Sequence, residues 1–416
     1  MAITNLTVSN FKSFKHLDLN LGRFNVVIGA NASGKSNFVE IFRFLRTLEQ
    51  NNLEDAISLH GGTESILNKK LGFTEPLRMR ATSDREMPWI ISLAGLRVHE
   101  TTYDFSVVAR TPPDGVLIKD DHFVQKLRSE MDATNTEIQF DILIAEGKPN
   151  VRVSPKDIAD CIPAGGIVSD YASLREAYKY VQIMSKTIEL QTVKGLLIHG
   201  NSLVTGPFVS LFRGGGVHDI DPHAAKRPHE KAGRLSLDGN GENLSLVLKN
   251  MLADPEKSRK FHNLLRYMLP FAVEVGVEEY LGLSLLLKLR EEYYEESLLA
   301  NLLSDGTVDA VALITALFFE DKDVIIIEEP ERNIHPHLIS GLMRLMEDAS
   351  RNKQVIVTTH SPEVVKHAGV ENLLLLSRDE EGFSTVSRPA EKQDVKIFLE
   401  NNLGLDDVFV QELWGP

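Results

Sequence analysis

The run Phe24-Asn-Val-Val-Ile28-Gly29-Ala30-Asn31-Ala32-Ser33-Gly34-Lys35-Ser36-Asn37 constrains this chain more than any other stretch. The five residues before Gly29 are largely apolar, the pattern of a strand buried on both faces. After the run, Phe38, Ile41, Phe42 and Leu45 recur at helical spacing. A strand, a loop reading G-x4-G-K-S and a helix, in that order, predict a phosphate cradle. The glycines let successive backbone N–H groups turn inward at the positive end of the helix. In such a loop Lys35 reaches the β- and γ-phosphates and the Ser36 hydroxyl binds Mg²⁺. The expected cofactors are therefore ATP and Mg²⁺, with Gly29 to Asn37 around the phosphates. The competing reading, a glycine turn that only caps a helix, does not account for the buried strand ahead of it.

A second constellation follows about 290 residues later, at Val324-Ile-Ile-Ile327-Glu328-Glu329-Pro330-Glu331. An apolar strand ending in two acids places carboxylates at the carboxyl edge of a parallel sheet, where α/β ligand sites form. Glu328 is expected to hold Mg²⁺ through water and Glu329 to polarise the attacking water. Between the two motifs, Leu303-Ser304-Asp305-Gly306-Thr307 opens an apolar helix. Ser304 and the amides of Asp305 and Gly306 form a second anion site, although S-D-G-T is on its own a good helix cap. A fourth signal is Thr358-Thr359-His360-Ser361-Pro362, after the strand Gln354–Val357. There His360 is placed to meet a γ-phosphate or the water, or to serve the fold alone.

Along the chain, Thr4–Val8 and Leu17–Leu21 alternate and predict an antiparallel ribbon. From about 51 to 165 short β-rich segments (Trp89–Leu93, Tyr103–Ala109, Ile138–Ile144, Asn150–Val153) alternate with turn residues. Residues 172–196 read as helix and Arg213–Gly241 as a mobile loop. Helices over roughly 243–270 and strands near 273–277 and 282–289 come next. Val308–Glu320, Asp323–Ile327, His337–Ser350 and Gln354–Thr358 then alternate helix and strand, the pattern of a parallel sheet covered by helices.

Together these signals resemble the ABC-type ATPase heads of the RecF, SMC and OLD families, whose order is Walker A, signature, Walker B, D-loop and switch histidine. Asn10-Phe11-Lys12-Ser13-Phe14 resembles the N-F-K-S-F that precedes Walker A in them. The short RecF-like "predicted ATPase" group (the AAA-15/AAA-21 type) is most similar, with E-E-P-E at Walker B. The resemblance implies a P-loop α/β head with a mixed central sheet, split as 1–50 and 235–416, around a β-rich lobe at 51–234 with a helical segment and a flexible loop. It makes Ser304, Asp305 and Gly306 the signature, acting on a partner's γ-phosphate. Asn333, His335 and Pro336 fall in the D-loop, and His360 is the switch histidine. Glu328 stands where an Asp is usual, and the Q-loop glutamine stays open among Gln125, Gln139, Gln182 and Gln191. One chain holds one set of motifs, so a complete site implies a homodimer or higher assembly of ATP-sandwiched heads.

Composition bears on what such a head would serve. Lys and Arg number 45 against 59 Asp and Glu, a net charge of −14. Bulk charge thus gives no basic footprint for wrapping nucleic acid. Lys69-Lys70, Arg78–Arg85 and Lys226-Arg227 are local basic clusters that keep DNA open as a client. No apolar run approaches the ~18 residues of a membrane span, no signal peptide is read at the N-terminus, and Cys161 is a single cysteine, all pointing to the cytoplasm. His218, Asp219, Asp221, His223 and His229 match no standard metal spacing and read as a solvated loop. Asp141, Glu146 and Lys148 faintly echo a nuclease core but read better as strand and turn. OLD-type relatives append a TOPRIM nuclease, for which the 56 residues after His360 are too few. The expectation is an ATP-hydrolysing switch that gates or scaffolds a separate effector, as in phage-defence or toxin systems. The alternatives are a RecF-like DNA clamp for repair and a structural ATP-bound scaffold with little turnover.

Overall fold

The computed structural model describes residues 2–84, 86–88, 96–109, 115–129, 137–145, 148–154, 215–393 and Leu405. Strands β1 (Ile3–Phe11) and β2 (Phe14–Asn20) form a hairpin, and β3 (Phe24–Ile28) runs into helix α1 (Lys35–Gln50). Two short helices, α2 (Leu53–Leu59) and α3 (Thr63–Ile66), precede the strands β4 (Leu77–Ser83), β5 (Met87–Pro88), β6 (Leu96–Ala109), β7 (Val116–Ser129), β8 (Glu137–Ala145) and β9 (Lys148–Ser154). From Gly215 come β10 (Gly215–His218), α4 (Pro222–Ala225), β11 (His229–Glu230), α5 (Leu244–Leu252), α6 (Pro255–Met268), β12 (Ala272–Tyr280), β13 (Ser284–Glu291) and β14 (Leu298–Leu299). The closing section is α7 (Asp305–Phe319), β15 (Val324–Glu328), α8 (Pro336–Ser350), β16 (Gln354–Thr359), α9 (Pro362–Ala368), β17 (Leu373–Arg378) and β18 (Ser384–Ser387). No described helix is long and apolar enough to cross a membrane. The helix expected over 172–196, the segment Trp89–Leu93, Cys161, Gln182 and Gln191 lie outside the described residues.

By internal contacts the chain forms two units. One comprises Met1–Gly22, Glu40–Gly214 and Asp379–Thr385. Its described core is an antiparallel sheet in the order β2-β1-β4-β6-β7-β8-β9, with β5 on β6. Alternation sets the inner face: in β4, Leu77, Met79, Ala81 and Ser83 are buried while Arg78 and Arg80 point out. The expected ribbon is present and longer than its alternating core, with Phe11 opposite Phe14. Its turn is held by specific bonds. Asn10 adopts φ 54, and its side-chain amide donates to the Gly72 and Glu75 carbonyls while its oxygen accepts from the Asn68 amide. Gln125 and Gln139 belong to β7 and β8 of this sheet.

The other unit comprises Arg23–Val39, Gly215–Arg378 and Val386–Pro416. A six-stranded sheet in the order β10-β15-β16-β3-β17-β18 runs through it, parallel from β10 to β17. Strands β3 and β16 are buried at every position, as strands covered on both faces must be. Helix α7 buries eleven consecutive residues from Thr307 to Leu317, so apolar character all round marks an interior helix here. A smaller antiparallel sheet pairs β11, β13 and β12, with β14 on β13.

One expectation is corrected. Residues 213–241 read as a mobile loop, yet they carry β10, α4 and β11. The glycines serve close packing: a Cβ on Gly216 would lie 2.7 Å from His218 Nε2 and 2.8 Å from Lys322 Cδ. β10 thereby pairs in parallel with β15, its His218 fully buried.

Candidate functional site

Three loops leave the carboxyl edge of adjacent parallel strands. The register sets Ile28 beside Thr359 and Thr358 beside Glu328, so the glycine loop, the acidic turn and the histidine start side by side. This is where ligands bind in open α/β sheets.

The loop after β3 is a tight cradle. Gly29 has φ 158 and Gly34 φ 116, and Ala32 takes φ 63. A Cβ on Gly29 would strike the Leu376 carbonyl oxygen at 2.4 Å, so only glycine fits there. Ala30, Asn31 and Ala32 are exposed, Ser33 and Gly34 buried, and Arg378 Nε donates to the Ala32 carbonyl at 2.9 Å. Lys35 opens α1 and folds back, donating from Nζ to the Gly29 carbonyl at 2.7 Å and the Ala30 carbonyl at 3.1 Å. Burial pulls its ammonium below the ordinary value, against the opposing pull of Glu329 and Glu331. Ser36 is exposed, Asn37 half-buried, and α1 has no acid in its first turn to repel an anion.

The turn after β15 gathers the acids. Glu329 takes φ 44, its amide donating to the Thr358 carbonyl at 2.8 Å. His360 Nδ1 lies 2.8 Å from Glu329 Oε1, while Arg332 Nη2 donates to Oε2 at 3.1 Å. Arg332 also donates through Nη1 to Asp219 at 3.0 Å. Burial alone would raise the Glu329 carboxyl, but Arg332 and His360 outweigh it and hold it below its usual value. Glu331 goes the other way: burial lifts it, against the hydrogen bond donated by Thr359. Asp309, inside α7, is pushed up to about 6 by burial, against an Asn333 hydrogen bond of 3.0 Å.

The signature segment sits on the same unit. Ser304 caps α7 by accepting from the Thr307 amide at 3.1 Å, and Asp305 pairs with Lys226. Gly306 is flush with the D-loop, since a Cβ there would lie 2.3 Å from the Asn333 carbonyl oxygen. Ser304, Asp305 and Gly306 thus contact Thr307, Lys226 and Asn333, whereas Lys35, Glu329 and His360 cluster together. His335 and His337, around Pro336 at the start of α8, are exposed with ring centroids 4.2 Å apart.

Glu331 Oε2 and Asp309 Oδ1 are buried carboxylate oxygens with no hydrogen-bond partner among the described residues. Among the described residues no three His, Cys, Asp or Glu side chains group to hold a metal ion. Asp309 and Glu328 line one small pocket with Glu329, and the oxygens of Glu328 and Ser36 are of the kind a hydrated Mg²⁺ takes. The glycine cradle with its folded-back lysine fits a triphosphate.

A family model described as "AAA ATPase domain" matches residues 1–205, and one described as "AAA domain, putative AbiEii toxin, Type IV TA system" matches 212–366. The chain is an ATPase head of this AAA kind. The DNA replication and repair protein RecF of Lactobacillus acidophilus is 29% identical to this head over 125 residues, 29% of this chain and 33% of RecF. The Septu protein PtuA of Bacillus thuringiensis is 30% identical over 92 residues, 21% of this chain and 23% of PtuA. This head therefore matches a third or less of the length of these relatives. A solved SmcHead bound to the C-winged helix domain of ScpA aligns over 93% of this chain and 98% of its own, at 12% identity and a TM-score of 0.48.

Sequence reasoning missed Asp309 and Arg332, and it read Asp219 as part of a solvated loop and Lys226 as part of a surface basic cluster. Glu331 was visible as the third acid of E-E-P-E, without a role. The residues weighed for a metal are otherwise engaged: His218 is buried in β10, Asp219 binds Arg332, Asp221 caps α4, and His229 faces the Glu230 carbonyl. Asp141 pairs with His122 at 2.8 Å, and Glu146 lies outside the described residues.

Proposed function

We propose that this ATPase head is a nucleotide-driven switch, with Gly29 to Asn37 binding ATP and Ser36 and Glu328 binding Mg²⁺. When bound, the ion would supply charge stabilisation to the transferred phosphoryl group. Lys35 binds the β- and γ-phosphates in place of the loop carbonyls it now meets. Glu329 orients the attacking water and accepts its proton, and His360 fixes the Glu329 carboxylate and senses the γ-phosphate. Ser304, Asp305 and Gly306 complete the site of a second copy, so ATP joins two heads and hydrolysis frees them. The observation that carries this reading is the Glu329–His360 contact at 2.8 Å, on a carboxylate that also acts on Lys35. The family organisation, a head of 1–50 and 235–416 with 51–234 inserted, is part of the proposal.

The switch gates a separate effector, in the manner of phage-defence or toxin systems, and works in the cytoplasm. The toxin-system description of the model matched over 212–366 supports this role. The alternative is a DNA clamp, favoured by the likeness to RecF. Against it, basic groups able to meet phosphate are already engaged: Arg78 with Asp104, and Lys70 over the Phe383 ring.

Phosphate release under Mg-ATP tests the chemistry. Glu329→Gln is expected to lower turnover by about 10²-fold or more while ATP binding persists, and Lys35→Ala to lose both. A Glu329→Gln protein that hydrolyses within about threefold of the parent contradicts the assignment.

A further inference from the structure

Lys226 stands beside the signature turn, and what it does there rests on the reading of Ser304 to Gly306 as the segment that meets a second copy's nucleotide. Its position is built by α4, which Asp221 caps and whose Ala225 is 1% exposed. The Lys226 side chain is 16% exposed and its ammonium binds the Asp305 carboxylate, from 79 residues away in sequence.

Asp305 is the acid in the first turn of α7. A carboxylate there suits the helix alone, because it faces the positive end of the helix dipole. It opposes any phosphate brought to the same turn, since like charges at such range repel. Lys226 cancels that charge, and His223 on the same short helix also acts on Asp305. An ammonium has three N–H donors, and the Asp305 contact engages one of them.

We propose that Lys226 is a phosphate-binding residue of the signature side: it neutralises Asp305 and offers its remaining donors to the terminal phosphate of a nucleotide held by a second copy of this chain. A purely structural ion pair behaves differently. Its two partners would matter in the same direction, whereas a phosphate ligand and the acid that opposes phosphate act in opposite directions.

The test uses the full chain in a Glu329→Gln background and reads, by light scattering, the Mg-ATP concentration that half-drives assembly. Binding of a fluorescent ATP analogue at low protein concentration, where heads stay apart, reports the Lys35 side separately. Lys226→Met is expected to raise the assembly midpoint at least tenfold with the separate-head affinity within twofold. Asp305→Asn, which removes the opposing charge but keeps the backbone amide, is expected to lower the midpoint, and Lys226→Arg to restore most of what Lys226→Met loses. Thermal unfolding identifies any variant that fails to fold, in which case Lys226→Gln replaces Lys226→Met. Equal weakening by Lys226→Met and Asp305→Asn overturns the proposal in favour of a structural pair. A midpoint unchanged in Lys226→Met, with assembly abolished by Ser304→Arg, overturns it while leaving the signature reading standing. Assembly that survives Ser304→Arg overturns the signature reading and this proposal with it.

Discussion

Asp309 holds a charge against its preference. It is 4% exposed, one oxygen accepts from Asn333, the other lacks a partner among the described residues, and burial lifts its carboxyl to about 6. A carboxyl raised in the fold adds stability below its unfolded value near 3.8, and that contribution is lost as pH rises through about 6. Ionised Asp309 is thus a cost at neutral pH. Asp309→Asn, which can still accept from Asn333, is expected to stabilise by about 1–2 kcal/mol at pH 7.5. Unfolding scans should show the gain shrinking towards pH 5, and a variant less stable than the parent at pH 7.5 would contradict this. Single residues were legible where the chemistry is local: Lys35, Glu329 and His360 each follow their own strand in a fixed pattern. Arg332 and Asp309 were not, nor were the pairings of Asp219 and Lys226, because each acts through a residue brought near by folding; Arg332 reaches Asp219 across 113 positions.

At the scale of elements, α7 and the D-loop turn fit with little room. Gly306→Ala places a methyl group 2.3 Å from a backbone oxygen that has no flexible end to yield. The expected loss is about 1–3 kcal/mol by denaturant titration; a change under about 0.5 kcal/mol would mean the turn moves freely. Helix α1 is fastened differently, through Glu40. Hydrogen bonding with His60, at the end of α2, is the main cause holding the Glu40 carboxyl down at about 2, with Arg43 and Lys12 adding to it against burial. A carboxyl depressed in the fold stabilises above its unfolded value near 4.5, and that stability drains as pH falls through about 2. Glu40→Gln should melt below the parent at pH 7, with the gap closing below pH 4.5; a gap constant from pH 7 to 3 contradicts the assignment. The closing helices and strands were legible to within a few residues because their apolar periods are long. β10 was not, since Gly215-Gly216-Val217-His218 carries turn-like composition and gains its place only from pairing with β15.

For the whole molecule, one set of motifs divides into two groups. Lys35, Glu329 and His360 cluster at the carboxyl edge of the parallel sheet, while Ser304 to Gly306 belong to the start of α7 with Lys226 and Asn333. On the proposed function, a nucleotide held by the first group is completed by the second group of another copy, which makes assembly the central consequence. The direct measurement is the mass of Glu329→Gln in solution by light scattering, with and without Mg-ATP. The account predicts a mass that at least doubles with Mg-ATP, in a protein whose Lys35→Ala counterpart stays unchanged. A Glu329→Gln protein that binds ATP yet keeps the same mass would contradict it.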